Sequence, residues 1–163
     1  MNHVIRRAHP DDAPALYDAW EALRRHYATA DERVIYDPVS REEFVAAVGP
    51  TLLRPDSVTF IALDGERVSG FVTGAIEVNL PDRLPERYAR VGQLYVEPGS
   101  RHEKLGRRLV AEFAAWAARH EGISHMEMSV LAEDSGAAPF WRSLGFQTYI
   151  ERVWAPVPLD TPA

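Results

Sequence analysis

The chain has 163 residues, a mass of 18.3 kDa and a formal net charge of -6, with 46% hydrophobic and 26% charged residues. This is the size and mix of one soluble globular domain, able to bury roughly 70% of the surface its extended chain would expose. It has no cysteine, which excludes disulfides, thiolate metal ligands and a cysteine nucleophile, and its acidic balance disfavours nucleic acid as a partner.

Val4 to Arg6 opens the chain as a short strand, followed by His9-Pro10-Asp11-Asp12, where an aspartate can cap a helix and Pro14 is tolerated in the first turn. Ala13, Leu16, Trp20, Leu23 and Tyr27 recur at helical spacing and predict a helix to about His26. Ala28 to Val39 reads as a polar loop. Ser40-Arg41-Glu42-Glu43 fits a capping box, and the helix it opens stops at Gly49-Pro50.

Val58 to Leu63 and Val68 to Val78 are β-rich, and Asp64-Gly65-Glu66 turns them into a hairpin. Gly70 and Gly74 inside the second strand point to a bulge or a close backbone neighbour. Tyr88 to Val96 is the next strand. Leu105, Leu109, Phe113, Trp116 and His120 then share one helix face ending at Gly122. Met126, Met128 and Val130 alternate on a strand, Ser135 to Leu144 reads as a helix, and Phe146 to Trp154 as a final strand. The order β-α-α-β-β-β-α-β-α-β predicts an α/β fold, a central mixed β-sheet flanked by helices. Residues 1–155 are expected to form one domain and the proline-containing 156–163 a loose tail. No apolar run approaches a membrane span, and MNHVIRRAHPDD lacks the apolar stretch of a secretion signal, so the expectation is a cytoplasmic protein without a membrane partner.

The segment richest in chemistry is Gly92 to Phe146. A strand, GQLYVEP, runs through a short turn into RHEKLGRRL, which opens an amphipathic helix. The first turn of a helix offers free N–H groups and the positive end of the macrodipole to an anion. Arg101, Lys104, Arg107 and Arg108 add four positive charges, and Gly106 leaves the backbone open for a phosphate to approach. The same charges also fit an ordinary solvated helix start.

In these residues the chain resembles the GNAT superfamily of N-acetyltransferases. The family's strand-to-helix motif matches Leu94, Tyr95, Val96, Pro98, Arg101, Gly106 and Leu109, its pyrophosphate core falling on Arg101, Lys104 and Gly106. A second block matches Ala137, Phe140, Trp141, Gly145 and Phe146 at the family's spacing. The resemblance implies a GNAT-like acyl-CoA N-acyltransferase fold with acetyl-CoA as acyl donor and no metal. The pantetheine arm would lie along Leu94, Tyr95 and Val96, with the thioester carbonyl at the Leu94 or Tyr95 N–H. The pyrophosphate would sit on Arg101, His102, Glu103, Lys104, Leu105, Gly106 and Arg107. Asp134, Phe140 and Trp141 would border the arm. A primary amine, small-molecule or protein, would attack the thioester directly, and a homodimer is compatible with the family. The alternatives are a non-catalytic coenzyme-A-binding module and a transferase of longer acyl groups.

Three departures accompany the match. Lys104 replaces the first loop glycine, and is expected to fit with helical dihedrals and its side chain outward. Asp134 stands where many members have an asparagine, and Trp141 where many have a tyrosine acid. Gly92 and Gln93 fill the positions where relatives often carry an acidic base. The catalytic groups are therefore open, with Glu77 as candidate base and Tyr149 as candidate acid, each also readable as an ordinary strand residue. Trp20, His26, Tyr27, Asp31, Glu32, Tyr36 and Asp37 gather around the first helix. As a roof over the acceptor they would hint at a cationic amine. His120 reads as a satisfied core group rather than a ligand.

Overall fold

The computed structural model describes residues 3–158, so the end of the expected tail, 159–163, lies outside the described residues. Five strands form one sheet in the order β1-β2-β3-β4-β5: β1 is Val4–Arg7, β2 Ser57–Asp64, β3 Arg67–Val78, β4 Arg87–Val96 and β5 Met126–Met128. The first four pair antiparallel and β4 pairs parallel with β5, so the sheet is mixed as its sequence predicts. Helices α1 (Ala13–Ala30) and α2 (Arg41–Val48) cover one face, and α3 (Leu105–Ala117) and α4 (Ala137–Ser143) the other.

Local chemistry explains most boundaries. Ser40 and Glu43 close the capping box of α2 in both directions, Glu43 N–H to Ser40 Oγ at 3.2 Å and Ser40 N–H to Glu43 Oε2 at 2.8 Å. The β2–β3 turn holds Gly65 at φ +63, a conformation costly for residues with a Cβ. Asp12 does not cap α1. Its carboxylate turns back to the His9 N–H and to Arg6, both at 2.7 Å, and the Arg6 guanidinium holds it below the usual carboxylate range despite partial burial.

Each face has its own core. Ile61, Phe71, Leu16, Leu23 and Phe44 pack beneath α1 and α2. Val72, Val91, Leu109, Phe113 and Trp141 pack beneath α3 and α4. Gly74 belongs to the contact between the sheet and α3: a Cβ there would fall on the Phe113 ring and on the Arg90 carbonyl oxygen.

The expected final strand is absent. Residues 146–156 have no regular secondary structure, and Ile150, Val153 and Trp154 are exposed. Apolar residues 146, 149, 150, 153 and 154 do not alternate with period two, so a strand here would have no uniformly apolar face. The strand expected over Met126 to Val130, β5, is only three residues long and stops before Val130. Helix α3 ends at Ala117, earlier than expected, and His120 lies beyond it with Nδ1 3.1 Å from the Trp116 carbonyl oxygen.

Candidate active site

Strands β4 and β5 touch only at Ala89–Met126, Arg90–Glu127 and Val91–Met128. Residues 92–96 of β4 continue without a strand on that side. On the other side Gln93 faces Thr73 and Val91 faces Gly74, so Gly92 is an extra residue, a β-bulge where the two parallel strands part. Glu97 donates to Ser69 on β3 at 2.9 Å. Because bonding direction alternates along an antiparallel strand, Gln93 and Tyr95 also face β3, while the N–H and C=O groups of Leu94 and Val96 face the gap. Of the two expected carbonyl donors, Leu94 and Tyr95, only Leu94 thus has an N–H directed there. Arg101 Nε donates to the Val96 carbonyl oxygen at 3.1 Å, in keeping with that direction. The Tyr95 ring turns instead to Phe71, centroids 6.1 Å apart, and burial pushes its phenol above its ordinary range.

The basic segment follows at the end of β4. Residues Pro98–Glu103 form a 3-10 helix, and α3 starts at Leu105, which is fully buried. The side chain of His102 lies outside the described residues. Glu103 Oε2 lies 3.0 Å from buried His3 Nδ1. Two of the guanidinium groups also tie elements together: Arg107 donates to the Ser143 carbonyl at 3.1 Å and Arg108 to the His3 carbonyl at 3.0 Å.

Lys104 overturns the expectation of helical dihedrals. Its φ of 57 and ψ of 20 are left-handed, the conformation glycine adopts freely. A left-handed L-residue costs about 1–2 kcal/mol, partly offset by the extra unfolded-state entropy of glycine. Lys104→Gly should therefore stabilise the fold by about 0.5–1 kcal/mol in urea unfolding, and a loss of stability would contradict that strain. Gly106 has a packing role as well. A Cβ on it would meet the Phe140 ring at 3.2 and 3.3 Å and Val96 Cγ2 at 3.6 Å, so the missing side chain also makes room for Phe140.

Trp141 is buried, edge-on to Phe140 at 5.2 Å and to Phe146 at 5.0 Å between centroids. It packs the core, and an indole supplies no acid at that position. Asp134 lies in the loop between β5 and α4. Its Oδ1 accepts from the Gly136 and Ala137 N–H groups, each at 3.2 Å, and its Oδ2 lies 2.7 Å from His26 Nε2 of α1. Burial raises its carboxyl, but the His26 bond, the His26 charge and the two amides outweigh that and hold it below its ordinary value. The pair ties α1 to the loop before α4, a contact between residues 108 apart that neither motif signals. Beside it, burial and then Tyr36 and Asp134 push the Tyr27 phenol up to about 12, so it stays protonated.

On the α1–α2 face a cleft of about 390 Å³ reaches the bulge, with Leu16, Trp20 and Phe44 on its wall and Thr73, Gly92 and Gln93 at its inner end. Arg54, Glu77 and Arg90 supply its charges. Glu77 is half-buried and stands opposite Tyr88, four residues and about 13 Å along β3 from Thr73. Arg90 was invisible to motif reading because no motif contains it. Tyr149 is exposed and donates to Glu127 Oε1 at 3.1 Å, a bond that raises its phenol above its ordinary range and makes it a weaker acid. Part of the acidic, aromatic roof is engaged within the chain. Arg24 is buried between the Trp20 and Tyr36 rings, 4.4 and 4.6 Å from their centroids, and Arg33 pairs with Asp31 at 2.6 Å. Those rings and that carboxylate already hold cations of the chain.

Among solved structures, a point mutant of the BH1408 protein from Bacillus halodurans superposes with a TM-score of 0.79 at 17% identity, covering 94% of this chain and 99% of its own. AAC(6')-Iy in complex with a bisubstrate analog, CoA-S-monomethyl-acetylneamine, matches at 0.73 and 16% identity, covering 96% and 98%. Glucosamine-6-phosphate N-acetyltransferase from Arabidopsis thaliana matches at 0.72 and 13%, covering 96% and 99%. These likenesses concern the fold. No curated protein matches. The model of the Acetyltransferase (GNAT) family matches residues 14–146, from the start of α1 through the parted strands to Phe146. With that span and this topology, the chain belongs to the GNAT acetyltransferase family.

Proposed function

We propose that the protein is a cytoplasmic N-acetyltransferase that moves the acetyl group of acetyl-CoA to a primary amine by direct attack. The observation that carries this reading is the free edge of β4 after the bulge, lying between a basic helix start and an open cleft. Leu94 and Val96 hold backbone groups without a strand partner, and an extended amide-containing chain beside them would complete the ladder as an added strand does. Arg101, Lys104, Arg107 and the amides opening α3 supply the positive field for a pyrophosphate. The cleft lets an amine reach the same point from the opposite face.

In the transfer, an ammonium first loses a proton to solvent. The nitrogen lone pair attacks the thioester carbonyl carbon, with the Leu94 N–H donating to its oxygen as negative charge develops. The C–N bond forms, the C–S bond breaks and coenzyme A leaves as thiolate. The second nitrogen proton is released, balancing the proton the thiolate takes up. Glu77 is the one carboxylate lining the cleft among the described residues, and it stands too far along β3 to touch the reacting nitrogen directly. Deprotonation of the amine before binding therefore governs the rate.

Acetyl-CoA binding provides the test. At 100 times its dissociation constant a ligand adds about 2.7 kcal/mol of stability, on the order of 5–10 °C in Tm for a domain of this size. Thermal unfolding with millimolar acetyl-CoA should show such a shift, and thiol release should appear with at least one primary amine. An unmoved Tm would exclude the reading.

A further inference from the structure

We infer that the acceptor is an α,ω-diamino acid, its α-carboxylate held by Arg90, its α-ammonium by Glu77, and its terminal amine the one acetylated. The inference rests on the acetyltransferase reading above. Arg90 faces Ala75 across β3–β4, and Glu77, two residues further along β3, lies diagonally from it on the same sheet face. Both line the cleft, yet they form no ion pair with each other, and neither has another hydrogen-bond or ion-pair partner among the described residues. The remaining charges nearby are engaged. Glu127, beside Arg90 in the β4–β5 register, binds His125 Nε2 and the Tyr149 hydroxyl, each at 3.1 Å. Arg54 pairs with Asp56 at 3.2 Å.

An adjacent, unpaired carboxylate and guanidinium complement a group carrying ammonium and carboxylate on one carbon, the guanidinium binding the carboxylate in two-pronged fashion. Spacing then fixes the rest. From the level of Arg90 and Ala75 to that of Thr73 and Gln93, where the bulge opens to Leu94, is two residues of β3, about 6.6 Å. An extended lysine places its terminal nitrogen about 6 Å from its α-carbon by standard bond lengths. The intervening methylenes would lie against Leu16, Trp20 and Phe44, the apolar wall of the cleft. Transfer at that nitrogen follows the steps given above.

Steady-state thiol release from acetyl-CoA, with lysine, ornithine, cadaverine and 6-aminohexanoate as acceptors, tests this. Lysine or ornithine should exceed both cadaverine and 6-aminohexanoate by at least about tenfold in kcat/KM, or 1.4 kcal/mol. Mass spectrometry of the product should place the acetyl group on the terminal nitrogen. Arg90→Gln should lower the lysine-to-cadaverine ratio at least fivefold, and Glu77→Gln the lysine-to-6-aminohexanoate ratio likewise. Cadaverine acetylated as fast as lysine, acetylation at the α-nitrogen, or ratios unmoved by both variants would overturn the acceptor assignment while leaving acetyl transfer standing. Thiol release from none of these four would overturn the acceptor assignment, and thiol release from no amine of a broad primary-amine panel, with acetyl-CoA still raising the Tm, would overturn acetyl transfer as well.

Discussion

Leu94→Pro should lower kcat by about 10²- to 10³-fold, the loss measured when one oxyanion donor is removed. Proline deletes the Leu94 N–H and nothing else of the backbone bonding. The alternation fixed by the Glu97–Ser69 bond turns that N–H away from β3, so no ladder bond is lost, and a proline is tolerated in a strand where its nitrogen faces an open edge. The side chain is a separate matter, because Leu94 is partly buried against the α3 core. Leu94→Ala removes the same packing and retains the N–H, so the ratio of the two variants isolates the donor. Steady-state rates at saturating acetyl-CoA, with far-UV circular dichroism to verify folding, make the measurement. A Leu94→Pro rate within threefold of Leu94→Ala would move the donor elsewhere.

The second large effect is on stability. Gly74→Ala should cost about 3 kcal/mol or more, beyond the common range for adding a methyl group to a packed core. A Cβ at Gly74 would lie 2.6 Å from Phe113 Cζ, against an optimal carbon–carbon separation of about 3.5–4.0 Å, and would also strike the Arg90 carbonyl oxygen. Phe113 is fully buried beside Trp116 and has little room to retreat, and the carbonyl belongs to the strand itself. Urea unfolding should show the loss at unchanged m-value. In Gly74→Ala/Phe113→Leu the smaller side chain relieves part of the clash, so the two substitutions should couple favourably by about 1 kcal/mol. Strict additivity would mean the ring is not what the new methyl meets. The site would suffer too, since Gly74 adjoins the bulge that parts β4 from β5.

Other substitutions change meaning once the packing is known. On sequence grounds Gly106→Glu is a probe of anion binding that leaves the helix intact. In the structure its side chain would start against Phe140 and Val96, so the substitution tests packing as much as charge. Lys104 marks the opposite case. It is exposed, but the turn into α3 holds a left-handed residue there, and the sequence supplies one with a Cβ.

The sequence by itself determined the elements whose causes are local. The Ser40–Glu43 box, the Asp64-Gly65-Glu66 turn and the apolar face from Leu105 to Trp116 each rest on residues within a few positions of one another, and each appears where expected. The strand-to-helix motif identified the family for the same reason, as a contiguous run from Leu94 to Leu109. Tertiary structure alone decided which groups of that run face what. The extra residue at Gly92 sets the phase of β4, and so selects Leu94 over Tyr95 as the N–H in the gap, a consequence of register with β3 that no spacing within β4 encodes. It also joined His26 to Asp134 across 108 residues, set Glu77 beside Arg90 from separate strands, and left 146–156 outside the sheet, because β5 is short and those apolar residues lack a strand's period. Local propensity sets where a helix or hairpin begins. Contacts between distant segments set which face of it meets the substrate.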